Sequence, residues 1–245
     1  MSKRVFIGLN NIANVGLSLK SGFEDLGIIA DFYTTEKILH KYDYSEKLNV
    51  KINRINQNFD IIFSPDECGG YFIEKYITYY FPVEDIGGEK PIIQTATKIK
   101  SLRIVHAPSN EQYKGSKHIY DAIDNLKNRY EFEFIKLQNL SKDDLIEEIL
   151  KCDLVIDQML VGFYGILTVE AMLLSKPVVC YIKDDIWSKI EKDCPIYNAN
   201  PDNLVNVLEK ILQNPSELIK RGEVSRNYAL DYHSPKRLPK KCWKF

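Results

Sequence analysis

Short apolar runs alternate with amphipathic stretches along most of the chain. Runs such as 5–9 and 177–182 are almost entirely apolar, as expected for strands buried on both faces of a parallel sheet. The pattern predicts strands over 5–9, 28–33, 59–63, 102–107, 132–137, 154–156 and 177–182, and helices over 17–26, 71–80, 117–126, 145–151, 165–174, 202–212 and 216–232. Strands that alternate with helices indicate an α/β fold with parallel sheets.

A turn-rich segment divides this pattern. Pro82, Gly87, Gly88 and Pro91 interrupt residues 81–100, which we interpret as a linker. We therefore predict two Rossmann-like domains, a reduced one over residues 1–80 and a fuller one over 101–232. Residues 233–245 form a basic tail, which could make a weak peripheral contact with anionic lipid.

Composition excludes several classes of protein. The formal net charge of −1 gives no overall basic field, so a nucleic-acid partner is not expected. No apolar run approaches the length of a membrane span, and the short first run is not a secretory signal, so we expect a cytoplasmic protein. The five Cys contain no CxxC pair and the four His show no metal-ligand spacing; we expect neither a disulfide framework nor a bound metal.

The loop 108–116 follows a predicted strand and enters a helix. Ligands of parallel α/β sheets bind at the carboxyl ends of the strands. Backbone N–H groups at a helix start attract anions, and Lys114 adds a full positive charge. Lys114 is therefore a candidate to hold a diphosphate, while the alternative is an ordinary surface lysine.

A second candidate loop carries two glycines and two aromatic residues before a helix. It comprises Gly162, Phe163, Tyr164 and Gly165, and the N–H groups from Phe163 to Ile166 could contact a phosphate. Glu170 lies farther along the helix among apolar neighbours. It could accept hydrogen bonds from ribose hydroxyls, or it could be a structural carboxylate, which if buried would need a partner.

Weaker candidates lie at other strand ends. The loop 10–16 lacks the GxGxxG pattern of dinucleotide-binding proteins but supplies three Asn, of which Asn14 is a candidate ligand contact. Asp157 and Gln158 could contact a donor or acceptor, or cap a helix or loop. His106 is interpreted as structural.

Residues 102–182 resemble the carboxyl-terminal domain of family 4 (group 1) GT-B glycosyltransferases. The matching segments are IVHAPSNEQYKGSKHIYDAI, CDLVIDQMLVGFYGILTVEAM and SKPVVCYI. In this resemblance, Lys114 takes the place of the diphosphate-loop lysine, Gly165 that of the second motif glycine, and Glu170 that of the second glutamate. Two positions depart from the family pattern: Gly162 replaces the first glutamate, and Pro108 replaces an arginine, for which Ser109 could supply a hydroxyl.

The resemblance implies a GT-B-like fold and transfer of a hexosyl-type group from a nucleotide diphosphate sugar to an acceptor hydroxyl, with retention. It implies no metal or other cofactor, and a glycan, a lipid or a small molecule as acceptor. The first domain would lie on the acceptor side, where Asn14 would face the sugar. Because Gly162 and the short first domain depart from the family, a non-catalytic or degenerate nucleotide-sugar-binding module is the alternative. A third hypothesis, a sugar-nucleotide epimerase, requires acids and bases that the sequence does not supply.

Overall fold

The chain divides into two compact units. One unit contains Met1–Glu84 together with Asp231–Phe245, and the other contains Asp85–Leu230. The computed structural model describes residues 4–9, 24, 29–34, 61–64, 77–78, 82–88, 101–188, 190 and 193–235. The second unit begins inside the segment that the sequence marks as a linker, and the domain limits inferred from the sequence stay predictions.

The first unit contains a sheet of four parallel strands. They are β1 (Arg4–Leu9), β2 (Ile29–Thr34), β3 (Ile61–Ser64) and β4 (Ile77–Thr78), in the order β2-β1-β3-β4. The first three strands confirm the sequence prediction. The helix predicted over 71–80 is wrong at residues 77 and 78, because this short segment pairs with β3 in parallel register. The loop 10–16, and with it Asn14, lies outside the described residues.

The second unit contains a sheet of five parallel strands. Its strands are β5 (Leu102–His106), β6 (Phe132–Lys136), β7 (Leu154–Ile156), β8 (Val178–Cys180) and β9 (Tyr197–Asn198), in the order β6-β5-β7-β8-β9. Its helices are α1 (Glu111–Lys114), α2 (Ser116–Lys127), α3 (Lys142–Lys151), α4 (Ile166–Leu173), α5 (Asp184–Trp187), α6 (Leu204–Gln213) and α7 (Glu217–Tyr232). The predicted α/β architecture with parallel sheets is confirmed.

The core of the second unit forms where helices cover this sheet. Ile119, Ile123 and Leu126 of α2 are at most 1% exposed and cluster with Ile104 and Leu154 of the strands. Their spacing along α2 places them on one face of the helix, so that burial of this face holds α2 against the sheet.

A side-chain cap starts the helix that follows β6. Ser141 Oγ accepts a hydrogen bond of 3.2 Å from the backbone N–H of Asp144 and so caps the helix. The helix begins at Lys142, three residues before the predicted start. The cap therefore fixes where the chain leaves the carboxyl edge of the sheet.

Two thiols lie in the core of the second unit. Cys152 and Cys180 are fully buried. Burial raises the pKa of the Cys152 thiol to about 12 and also raises the pKa of Cys180. Both thiols are therefore protonated and unreactive at neutral pH.

The strand order creates a crevice at the carboxyl edge of the sheet. β5 pairs with β6 on one side and with β7 on the other. The loop after β5 therefore leads to one side of the sheet, and the loop after β7 leads to the other. His106 and Ile156, the last residues of β5 and β7, lie opposite each other in register. The loops that follow these two strands flank the position where ligands bind in parallel α/β sheets.

Candidate functional site

A single-turn helix fixes the position of Lys114. Asn110 caps α1 through a hydrogen bond of 2.8 Å from the N–H of Tyr113 to its Oδ1. Gly115 ends the helix in the left-handed conformation, with φ of 71°, and a Cβ at Gly115 would lie 2.7 Å from Leu160 Cγ. Both features require glycine. The backbone N–H of Met159 also donates to Lys114 O at 2.9 Å, which joins this turn to the loop after β7.

Asp157 joins Lys114 to the start of α4. Its Oδ1 lies 2.6 Å from Lys114 Nζ, while Oδ2 accepts hydrogen bonds from Thr168 Oγ1 at 2.7 Å and from the Gly165 N–H at 3.4 Å. Asp157 is fully buried and the Lys114 side chain is 15% exposed. The sequence left Asp157 as a donor contact or a cap; in the structure it caps a helix and orients a lysine.

The lysine amine and the helix end converge. Lys114 Nζ lies 3.6 Å from the position that a Cβ on Gly165 would occupy. At the start of α4, the Val169 N–H donates a backbone hydrogen bond of 3.4 Å to Gly165 O. The N–H groups from Ile166 to Thr168 therefore have no acceptor within the helix, and they carry the positive end of its dipole. This combination suits the binding of an anion.

Gln158 stabilises the loop before α4. Its Nε2 donates to Phe163 O at 2.8 Å and to Tyr181 O at 2.7 Å, while its Oε1 accepts from the Val161 N–H at 2.7 Å. Because Gln158 is fully buried, these bonds occupy its amide inside the protein. Gln158 is thus a loop cap, the structural alternative that the sequence left open.

The aromatic side chains of this loop belong to the core. Phe163 is 8% exposed and Tyr164 is 1% exposed. Their rings stack with centroids 4.5 Å apart and planes 24° from parallel. The rings are therefore not a platform for a base or sugar, and ligand contact through the backbone N–H groups of Phe163, Tyr164 and Ile166 stays a prediction. The N–H of Gly165 already donates to Asp157.

Gly162 is covered by a lysine. Its φ is +84°, a conformation that favours glycine. A Cβ at this position would lie 2.7 Å from both Cγ and Cε of Lys183 and 2.9 Å from Cδ. The Lys183 N–H also donates to Gly162 O at 3.0 Å. Glycine at the position where the resemblance expects glutamate therefore accommodates the aliphatic stem of Lys183.

Glu170 has an ionic partner on the neighbouring helix. Its side chain is 9% exposed, and Oε1 lies 2.8 Å from Nζ of Lys142, whose side chain is 61% exposed. Lys142 begins α3, directly after the loop that leaves β6. The Glu170 carboxylate therefore lies near the carboxyl edge of the sheet, and its contact with a ribose stays a prediction.

His106 is hydrogen-bonded to Ser116, two residues after Lys114. It is fully buried, with Nδ1 2.8 Å from Ile156 O and Nε2 2.7 Å from Ser116 Oγ. Since a carbonyl can only accept, Nδ1 carries the proton and Nε2 accepts from the serine hydroxyl. Burial lowers the pKa of His106, so the ring is neutral. This arrangement agrees with the structural interpretation of this histidine.

Two predicted site residues remain, Ser109 and Asn14. Ser109 is exposed in the loop after β5, so its hydroxyl is accessible. Asn14 lies outside the described residues, and its role stays a prediction. Just after the end of β6, Gln138 Nε2 donates a hydrogen bond of 2.7 Å to Glu111 of α1, and Tyr120 Oη donates to the same carboxylate at 3.3 Å. These bonds fix the edge of the loop 137–140.

The positions of Lys142, Thr168 and Lys183 at this site are not evident from the sequence pattern. The only local signal for Thr168 is a hydroxyl in an otherwise apolar first turn. Lys142 and Lys183 look like ordinary surface residues in the sequence.

The described residues contain neither a cluster suited to a metal ion nor a helix suited to a membrane. They contain no group of three or more His, Cys, Asp or Glu that could hold a metal ion. Within them, no helix is both long and apolar enough to cross a membrane.

Comparison with known proteins gives a likeness in structure only. No protein-family model matches the chain. No curated protein matches its sequence. Among solved structures, Anabaena Alr3699/HepE in complex with UDP and glucose is 12% identical, with a TM-score of 0.58 over 99% of this chain and 98% of that chain. A glycosyltransferase from Rickettsia africae is 13% identical, with a TM-score of 0.59 over 98% of this chain and 96% of that chain.

A third solved structure contains S. aureus TarM with fondaparinux, α-GlcNAc-glycerol and UDP. It is 14% identical, with a TM-score of 0.56 over 91% of this chain and 52% of that chain. These structures are GT-B glycosyltransferases. The chain has the GT-B fold. This confirms the predicted fold class, whereas membership of family 4 stays a prediction.

Proposed function

We propose that the protein transfers a hexosyl-type group from a nucleotide diphosphate sugar to an acceptor hydroxyl, with retention of configuration. One observation supports this most: the Lys114 amine lies 3.6 Å from the Cβ position of Gly165, at the open end of α4. In this proposal the two positive groups bind the pyrophosphate of the donor. No metal ion or other cofactor takes part.

The proposed catalysis is mainly electrostatic. When the bond between the sugar and the diphosphate breaks, negative charge develops on the leaving phosphate. Lys114, the N–H groups from Ile166 to Thr168 and the Ser109 hydroxyl would stabilise that charge. One well-placed donor of this kind can contribute roughly 3–4 kcal/mol to the transition state. Asp157 contributes by holding the lysine in place before the donor binds.

The nucleoside would lie between α4 and the loop after β6. Glu170 is buried, so a ribose hydroxyl that reaches its carboxylate would form a charge-assisted hydrogen bond. The loop 137–140 would contact the edge of the base. Lys142, which pairs with Glu170 here, is exposed enough to move aside or to share the carboxylate.

The structural neighbours support this choice of donor and acceptor. HepE has been solved with UDP and with UDP-glucose, and TarM with UDP, fondaparinux and α-GlcNAc-glycerol. We therefore propose a nucleotide diphosphate sugar, with a UDP-sugar as the first to test, as donor and a glycan, a lipid or a small-molecule hydroxyl as acceptor. HepE matches this chain over nearly its full length, which supports the proposal that a chain of this size can bind a nucleotide sugar.

A transfer assay tests the proposal. The wild-type protein is incubated with a set of UDP-sugars and GDP-sugars and with glycan and lipid acceptors, and product is identified by mass spectrometry. Lys114→Met should abolish most transfer, while Lys151→Met, at the opposite end of α3, should preserve it. The anomeric configuration of the product, measured by nuclear magnetic resonance, tests retention.

The second candidate is a non-catalytic nucleotide-sugar-binding module. The position that would carry the first family glutamate is Gly162, and the stem of Lys183 fills the adjacent space. No carboxylate is therefore available there to contact a sugar. Calorimetric binding of a nucleotide sugar without either transfer or hydrolysis would favour this candidate over the enzyme.

A further inference from the structure

The charged side chains at the carboxyl edge of the second sheet largely neutralise one another. Lys114 pairs with Asp157 at 2.6 Å and Lys142 with Glu170 at 2.8 Å. Lys136 likewise pairs with Glu111. The net charge that these pairs offer to a ligand is close to zero. A pyrophosphate carries more negative charge than the end of one helix offsets. Another cation at this edge would therefore strengthen a phosphate site formed by Lys114 and the start of α4.

Lys183 lies at the same edge. It follows β8, which pairs in parallel with β7, so that Val179 lies opposite Ile156 in register. The loop with Asp157 and the loop with Lys183 thus leave adjacent strands in the same direction. Gln158 connects them, since it bonds to Phe163 O at 2.8 Å and to Tyr181 O at 2.7 Å.

The stem of Lys183 is held across the loop that leads to α4. Its Cγ, Cδ and Cε lie 2.7, 2.9 and 2.7 Å from the position of a Cβ on Gly162. Any other residue at position 162 would displace this stem. The amine is one bond beyond Cε, and Gly162 is three residues before the residue that caps α4. The amine therefore lies beside the loop that leads into α4.

The amine of Lys183 is uncommitted. Among the residues that the structure describes, it forms neither an ion pair nor a hydrogen bond, in contrast to Lys114, Lys136 and Lys142. Asp184 and Asp185 follow it in the first turn of α5, where both are exposed and neither is paired with it. An exposed and unpaired ammonium can approach a ligand without breaking an existing bond.

We infer that Lys183 is the second cation of the donor diphosphate site and that Gly162 is glycine to let its side chain cross the loop. This inference rests on the proposed function, because it presumes that a nucleoside diphosphate binds at the start of α4. Lys183 would contact phosphate oxygens directly and would bind the end of the diphosphate that is farther from Glu170.

Isothermal calorimetry with the full chain tests the inference. UDP, GDP and the corresponding nucleosides are titrated into wild type, Lys183→Met, Lys183→Arg and the control Lys151→Met. Lys151 is also a lysine at a helix, but it lies at the far end of α3 and pairs with Glu148 at 2.7 Å. Thermal unfolding verifies that each variant is folded.

For Lys183→Met, we expect roughly tenfold weaker binding of the preferred diphosphate, the usual effect of losing one charged contact. Binding of the nucleoside should not change, and Lys183→Arg should stay within about threefold of wild type because its charge is retained. The difference between wild type and Lys183→Met should shrink as salt is added. Lys151→Met should match wild type throughout.

Two results overturn the inference in distinguishable ways. If wild type binds UDP or GDP and folded Lys183→Met binds it equally well, Lys183 is only a solvated lysine, and the proposed function survives. If wild type binds neither nucleotide, the proposed function fails and this inference fails with it.

A second variant tests the same contact independently. Gly162→Ala places a methyl group in the space of the Lys183 stem and should itself weaken diphosphate binding. If the two residues act together, adding Gly162→Ala to Lys183→Met should cause little further loss of diphosphate affinity. Fully additive losses would contradict the proposed role of Gly162.

Discussion

At the scale of single residues, two ion pairs of equal length differ in their surroundings. Lys114–Asp157 and Lys117–Asp121 both have N–O distances of 2.6 Å. Asp157 is fully buried, whereas the Lys117 and Asp121 side chains are 83% and 62% exposed. An exposed pair contributes little to stability, because water solvates both partners when it breaks. Removing one partner of a buried pair leaves an uncompensated charge.

Asp157→Asn should therefore destabilise the protein markedly. We expect the free energy of unfolding to fall by about 3 kcal/mol, because Lys114 loses its counter-ion and the cap of α4 is weakened. Asp121→Asn is the matched control and should change the free energy of unfolding by less than about 0.5 kcal/mol. Urea unfolding followed by circular dichroism measures both. Similar values for the two variants would contradict the structural role of Asp157.

Glu170→Ala separates ligand binding from stability. If the carboxylate binds the ribose, donor affinity should weaken by about 1–3 kcal/mol, the cost of a lost charged hydrogen bond. Lys142 is left without its partner, but it is exposed enough to be solvated. Glu148→Ala, which removes the partner of Lys151, is the control and should leave donor affinity unchanged. Donor affinity is measured by calorimetric titration. If the folded Glu170→Ala variant binds the donor as tightly as wild type, the ribose contact is excluded.

His106 should make folding stability depend on pH. Burial lowers the pKa of His106, with opposing contributions from the Ile156 carbonyl and Asp157 and a further lowering by Lys114. Below an unfolded pKa of about 6.5, the unfolded chain takes up a proton that the folded chain does not. Stability should therefore fall as the pH drops from 7 towards 5. One proton corresponds to a slope of up to about 1.4 kcal/mol per pH unit.

The variant His106→Gln tests this assignment. Urea unfolding at a series of pH values should show a shallower slope between about pH 7 and 5, the range in which an ordinary histidine titrates. His118 lies on α2 and is exposed, so His118→Gln should preserve the slope of wild type. An unchanged slope in His106→Gln would assign the pH dependence to other groups.

Individual residues of the candidate site can be predicted from the sequence, but their partners cannot. Lys114, Gly165 and Glu170 stand out because local spacing places them at helix starts or in apolar surroundings. The bond between Lys114 and Asp157 joins positions 43 residues apart, and that between Lys142 and Glu170 joins positions 28 apart. Such contacts depend on how strands are ordered in the sheet, which periodicity does not encode.

At the scale of elements, close approach of α7 to the turn after α4 stabilises the second unit. Gly222 lies within α7, and a Cβ there would be 2.1 Å from the backbone oxygen of Ser175. Ser175 itself adopts a left-handed conformation with φ of 59°. Backbone cannot move aside as a flexible side chain can. Gly222 is therefore required by packing, although glycine is unfavourable inside a helix.

Gly222→Ala sets two effects against each other. Alanine raises helix propensity by about 1 kcal/mol relative to glycine. The methyl group would overlap the Ser175 carbonyl, and overpacking of this kind costs about 1–3 kcal/mol or more. We expect the clash to dominate and the midpoint of thermal unfolding to fall.

Val224→Ala is the matched control for helix propensity. Val224 is on the same helix and is 42% exposed, so alanine there meets no clash and removes a β-branched residue. Its thermal midpoint should stay equal or rise slightly. A rise in Gly222→Ala as well would show that α7 can shift away from the turn.

The elements that sequence analysis predicted are those with strong local patterns. β5, β7 and β8 are apolar runs, and α2 has an apolar face at helical spacing. β9 contains two residues, Tyr197 and Asn198, and it exists because it pairs with β8. Asn198 also bonds to both backbone groups of Ile182, at 2.9 and 3.0 Å. Elements created by tertiary contacts of this kind leave no periodic signal.

At the scale of the whole molecule, the proposed donor site lies within one unit. Lys114, Asp157, Gly165, Glu170 and Lys183 all belong to Asp85–Leu230. The start and the last helix of this unit are joined by Arg226, whose guanidinium contacts both carboxylate oxygens of Asp85 at 3.1 and 3.0 Å. Arg226 also donates to the carbonyls of Leu173 and Gly88. These contacts hold the start of the unit against its last helix.

A fragment of residues 85–230 should therefore fold and bind the donor nucleotide on its own. Its dissociation constant for UDP or GDP should lie within about threefold of that of the full chain, since a difference of this size is under 1 kcal/mol. The fragment should show no transfer activity, because transfer in our proposal also requires the acceptor side. Calorimetry on the fragment and on the full chain gives the comparison, with Arg226→Met in the fragment as a control that should lower its stability. A folded fragment that binds more than tenfold more weakly would show that residues of the first unit contribute to nucleotide binding, and the donor site would then have to be assigned to both units.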